Sequence, residues 1–162
     1  MVPVPDGPNV IEHDEHVAAL LITDYRLVSF DMPGFGLSLP SVGYRHGLDQ
    51  GAMAVLDVLD ALGIGQATLA FSCAHGFYVV QGLLREDASA LQVAHTPCTM
   101  VWGGLDRSHC ATDARSVLDC VPHAQIVHFG DCGHFPDLEQ PKRYATLLRE
   151  HVLQHVSGAC AV

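Results

Sequence analysis

Lysine is almost absent: Lys142 is the only one, and eight basic residues face 18 acidic ones for a formal net charge of −10. Such a surface repels phosphate backbones, so nucleic acid is not an expected partner. It also lacks the basic cluster that docks on an anionic membrane. No apolar run approaches the roughly 20 residues needed to span a bilayer. The opening Met1-Val2-Pro3-Val4-Pro5-Asp6-Gly7-Pro8 has neither a basic leader nor a long apolar stretch, so it does not read as a signal peptide, and a cytoplasmic location is expected. The six cysteines show no Cys-x-x-Cys spacing, which favours free thiols over a disulfide framework. Repeats and low-complexity segments are missing too.

What is present is apolar. Hydrophobic residues make up 49% of the 162 residues. That implies one folded domain, residues 1–162, able to bury a core without disulfides or a structural metal. Eleven histidines let the charge move as pH falls through their titration range.

Apolar periodicity then divides the chain. Short strands are expected at Val2–Val4, Arg26–Phe30, Ala67–Phe71, Cys98–Trp102 and Gln125–Phe129. Helices are expected over Ile11–Ile22, Gln50–Leu62, Ala74–Arg85, Ala111–Val121 and Pro141–Val156, the last with proline suited to its first turn. Alternating strands and helices imply an α/β fold of about five mostly parallel strands with helices on both faces. In such sheets function sits beyond the carboxyl ends of the strands.

Three of those strand ends carry chemistry. Phe71-Ser72-Cys73-Ala74-His75-Gly76 lies at a strand-to-helix junction. A cysteine on that turn would face a helix N-terminus, whose dipole favours a thiolate, and the Ala74 N–H would point where an oxyanion forms. Val101-Trp102-Gly103-Gly104-Leu105-Asp106 runs a strand into a glycine turn and an acid. Gly130-Asp131-Cys132-Gly133-His134-Phe135 runs a strand into a loop and a histidine. Nucleophile, acid and base follow one another in the order of α/β hydrolases.

Together with Asp31-Met32-Pro33-Gly34-Phe35-Gly36-Leu37-Ser38, Leu59-Asp60-Ala61-Leu62-Gly63-Ile64 and Gly133-His134-Phe135-Pro136-Asp137-Leu138-Glu139-Gln140-Pro141, these stretches resemble the α/β-hydrolase superfamily. The resemblance is nearest to its esterase, lactonase and epoxide-hydrolase-like branch, with cysteine at the usual serine position. Val4-Pro5-Asp6-Gly7 is similar to the lactonase form of the oxyanion loop. The resemblance implies a reduced α/β-hydrolase fold without a cap domain. The strands that usually precede the oxyanion loop are not in this chain, and only Asp87–Thr96 stands where a further strand and lid would follow the nucleophile helix. It also implies a hydrolase that cleaves an ester, thioester or lactone through Cys73, His134 and Asp106 and an acyl-enzyme, with no cofactor. Ala74, Gly7 and Asp6 would form the oxyanion hole, the second N–H coming from a residue other than Pro8. Phe35, His75, Trp102 and Phe135 would contact a small-molecule or carrier-bound acyl substrate. Phe71 and His75 stand where the superfamily has small residues around the nucleophile.

Blander readings stand beside each of these. Cys73 can simply fill a turn, Asp106 can be a turn-forming aspartate, and His134 a surface histidine. Ser72 is a rival nucleophile one place early, and Asp131 a rival acid. Phe35, Trp102 and Phe135 can be core, and His75 can simply pack. His13 and His16, and likewise His151 and His155, have helical ligand spacing without a third ligand, so no metal is expected. A non-hydrolytic enzyme of natural-product biosynthesis on the same fold (a cyclase, acyltransferase or eliminating enzyme) and a binding module without activity are the alternatives. The Leu27–Phe30 strand would be an exposed edge, which makes a homodimer a hypothesis.

Overall fold

A computed structural model describes residues 1–5, 9–72, 96–108, 113–119 and 121–155. They fall into two compact units, Met1–Leu91 and Gln92–Val162.

In the first unit, β1 (Val2–Val4) runs parallel to β2 (Leu69–Phe71), pairing Val2 with Leu69 and Val4 with Phe71. The alternation of β1 puts Val2 and Val4 on one face, each 1% exposed, where they meet Met32 and Val55. Arg26–Phe30, expected as a strand, forms only one rung. The Met1 amine donates to the Arg26 carbonyl at 2.8 Å, and Val28 N–H donates to the Met1 carbonyl at 3.1 Å. This is the offset of a parallel ladder, with Met1 opposite Leu27, and it ends there because its next donor would be residue 3, a proline without an N–H.

The helix expected from Ile11 begins as a 3-10 turn, Ile11–Asp14, and becomes α1 at Glu15–Leu21. Helix α2, Leu48–Ala61, starts two residues earlier than its apolar pattern suggests, because Gly47 supplies an extended N-cap. It turns Ala52 and Val55 into the core. Its end is a Schellman motif: Gly63 takes φ +63°, its N–H donates to Asp60 O, and Ile64 N–H donates to Leu59 O at 2.8 Å. A glycine fits there because a Cβ disfavours that φ.

In the second unit, β3 (Thr99–Gly103) runs parallel to β4 (Gln125–Phe129), from Thr99 opposite Gln125 to Gly103 opposite Phe129. The segment Ala111–Val121 gives a 3-10 helix at Ala114–Asp119 rather than a long α-helix, burying Ala114 and Val117. A short helix α3, Pro136–Glu139, leads into α4, Pro141–His155. His151 on α4 meets Thr99 on β3, Nδ1 to Oγ1 at 2.9 Å. Burial, with His155 adding, pushes its pKa below the usual value. Arg143 lies 3.8 Å over the Phe129 ring. Among the described residues no helix is long and apolar enough to cross a membrane.

Candidate active site

The carboxyl ends of β3 and β4 are fastened to each other by backbone. A Cβ on Gly103 would strike the Gly133 carbonyl oxygen, so only glycine lets the end of β3 come this close to the histidine loop. Gly104 N–H donates to Phe129 O and Leu105 N–H to Cys132 O, both at 2.8 Å. The acid turn and the histidine loop therefore form one hydrogen-bonded structure.

Asp106 sits on that turn. Its Oδ1 accepts the Ser108 N–H at 2.7 Å, a local bond that fixes the carboxylate plane. Its Oδ2 lies 3.0 Å from His134 Nδ1. The side chains are only 9% and 21% exposed, so the pair is largely screened from water. An ionised carboxylate can only accept, so this bond places the proton on Nδ1 and makes Nε2 the basic nitrogen. Asp131, the rival acid, lies elsewhere: it is bridged to Arg143 at 3.2 Å. A Gln140 hydrogen bond, with Arg143 adding, holds its carboxyl below the usual range.

Glu139 was not legible as a site residue. Its carboxylate accepts Gly133 N–H at 2.9 Å and Phe135 N–H at 3.4 Å, the two amides that flank His134. Phe135 is the N-cap of α3, so this is a capping-box contact set one residue later than usual. That spacing was the available signal. Cys132 is buried beside it, and burial, with the Glu139 charge adding, pushes its thiol up to about 11. Phe135 packs edge-on against His134, centroids 4.4 Å apart. Trp102 lies on β3 opposite His128, half-buried.

The first unit holds the other expected residues. Asp31, 8% exposed, accepts the Ile11 N–H at 2.9 Å and the Leu37 N–H at 3.0 Å. A Cβ on Gly36 would strike that carboxylate, which explains the glycine of the Asp31–Ser38 loop. Phe35 packs against the Val2–Val55 core and edges His46 at 5.5 Å. It also lines, with Gly34, Tyr44, His46 and Gly47, an opening of about 290 Å³. Phe71 packs against the same core, which accounts for its bulk at the end of β2. Ser72 is buried, and its Oγ has no hydrogen-bond partner among the described residues. Cys73, Ala74, His75, Asp6, Gly7 and Pro8 lie outside the described residues. Among the described residues no group of three His, Cys, Asp or Glu side chains is placed to hold a metal.

No protein-family model and no curated protein matches the sequence. Solved structures do match. A meta-cleavage product hydrolase from Pseudomonas fluorescens aligns with a TM-score of 0.79 at 14% identity, covering 94% of this chain and 90% of that one. A thermophilic esterase from Thermogutta terrifontis gives 0.77 at 15% identity, covering 94% and 89%. An enol-lactonase from Burkholderia xenovorans gives 0.75 at 13% identity, covering 94% and 90%. At such identities the likeness concerns the fold.

Proposed function

We propose that this chain, which has the α/β-hydrolase fold, is a hydrolase of ester, thioester or lactone bonds that works through Cys73, His134 and Asp106. The observation that carries the proposal is the 3.0 Å bond between His134 Nδ1 and Asp106 Oδ2. A histidine held by Nδ1 on a screened carboxylate is a general base with its second nitrogen committed to proton transfer. The solved structures that share the fold include an esterase and an enol-lactonase, which fits the bond class.

In this mechanism His134 Nε2 takes the Cys73 Sγ proton, and the thiolate adds to the substrate carbonyl. Asp106 stabilises the imidazolium. The Ala74 N–H and a donor from the Asp6-Gly7 loop hold the oxyanion. Collapse expels the alcohol, thiol or ring oxygen, which leaves with the proton from His134. A water, deprotonated by His134, then attacks the acyl-cysteine and releases the acid and the free thiol. Phe35, His75, Trp102 and Phe135 are the proposed substrate contacts, and a carrier-bound acyl group is within the proposed range.

The test is iodoacetamide labelling of native protein across pH, read by peptide mass spectrometry, in wild type and His134→Ala. Fast labelling confined to Cys73, slowed in the variant at neutral pH, supports a Cys–His pair. Equal reactivity of Cys73 in both proteins sinks the nucleophile assignment.

A further inference from the structure

The triad accounts for Asp106 and His134 but leaves Glu139 without a role, although its carboxylate accepts two backbone N–H groups of the histidine loop. It takes the N–H groups of Gly133 and Phe135, immediately before and after His134. A peptide whose neighbours on both sides are pinned to one anion has little freedom to rotate. The Phe135 N–H lies in the peptide that follows His134 and the Gly133 N–H one peptide before the residue's own, so the two bonds restrain the loop on either side of the backbone that sets where the ring points. The space is tight as well: a Cβ on Gly133 would come within 2.8 Å of the Glu139 carboxylate.

We propose that Glu139 is a positioning residue for His134, whose carboxylate holds the loop so that the imidazole meets Asp106. It touches neither substrate nor reacting atoms. Charge matters in this role, because a carboxylate offers acceptor sites on both oxygens, whereas a glutamine amide offers them on one. Hydrogen bonds to an ionised acceptor are also roughly twice as strong as neutral ones. The catalytic part of the inference rests on the triad proposed above; the structural part rests only on the bonds named here.

The experiment compares Glu139→Gln and Glu139→Ala with wild type by amide hydrogen exchange and by NMR of the His134 Nδ1–H, alongside steady-state kinetics on a p-nitrophenyl acyl ester. Expected first is faster exchange at Gly133 and Phe135 in both variants. The Nδ1–H resonance should broaden or vanish in Glu139→Ala and be partly kept in Glu139→Gln. Turnover should fall about 10- to 100-fold in the alanine variant with KM within about twofold, the mark of a misplaced general base rather than lost binding. If the alanine variant fails to fold, the glutamine variant carries the same readouts. An unchanged Nδ1–H resonance with unchanged kcat, while the two amides lose protection, overturns the proposal. Wild-type protein inactive on esters, with the NMR effect present, would instead sink the triad reading and leave the positioning role standing.

Discussion

Gly103→Ala tests the reasoning about the acid turn most sharply. The added methyl would meet the Gly133 carbonyl oxygen and lie 2.8 Å from both the Cys132 oxygen and the Gly133 carbonyl carbon. All three are backbone atoms, so no side chain can swing aside. Either the end of β3 or the histidine loop must move. Overpacking of this kind costs about 1–3 kcal/mol. Moving the loop also stretches the Leu105 N–H···O Cys132 bond, 2.8 Å in the native arrangement, and losing it costs about 1 kcal/mol more. The expected loss is therefore about 2–4 kcal/mol. Gly130→Ala is the matched control, because nothing lies within 4 Å of a Cβ built there, and its cost should stay within about 0.5 kcal/mol. Urea unfolding of wild type and both variants, followed by tryptophan fluorescence from Trp102, measures the difference. If Gly103→Ala unfolds at the same urea concentration as Gly130→Ala and keeps the His134 Nδ1–H resonance, the close approach is not what fixes this turn.

Four other outcomes are expected. Asp31→Ala removes the acceptor for the Ile11 and Leu37 amides and should cost about 2–4 kcal/mol by chemical unfolding. Asp106→Asn should lower ester turnover roughly 10³- to 10⁴-fold, because the amide can offer an N–H to the ring and reverse the tautomer. Cys132, fully buried and pushed up to about 11, should alkylate only after unfolding. Its share of stability is complete below the ordinary thiol range and is lost as pH rises through that value. His151, whose folded pKa is lowered by burial and by His155, contributes stability above its unfolded pKa that is lost as pH falls through the folded one. Unfolding midpoints at pH 7.5 and 5 should therefore differ less in His151→Gln than in wild type.

The strand ends were legible in the sequence, since β4 begins and ends where its apolar run does and β3 lies one residue later than expected. Arg26–Phe30 misled because its composition suits a strand, yet Pro3 of β1 has no N–H with which to continue the ladder past one rung. The Ala111–Val121 pattern describes a helical face, but the described part packs as a tighter 3-10 turn that buries Ala114 and Val117. At the site, Asp106 and His134 were visible because both follow strand ends, where sheets of this kind place functional groups. Glu139 was not, because its one signal, a capping-box spacing, is shifted by a residue from the usual pattern. For Asp31 the motif could be recognised, but its role as acceptor for Ile11, 20 residues earlier, depends on the fold.

The His134–Asp106 bond closes a loop of 28 residues, and the contacts that brace it come from residues just before and after that loop, Gly103 and Glu139. Loop closure of that length is entropically cheap and grows only slowly with insertion. The His134–Asp106 pair is thus a local product of the crossover from β3 to β4. Lengthening the exposed turn at Pro122 and His123, beyond the buried Val121, should leave the imidazole on its carboxylate, so that turn is a place where this chain can accept new sequence without separating the pair.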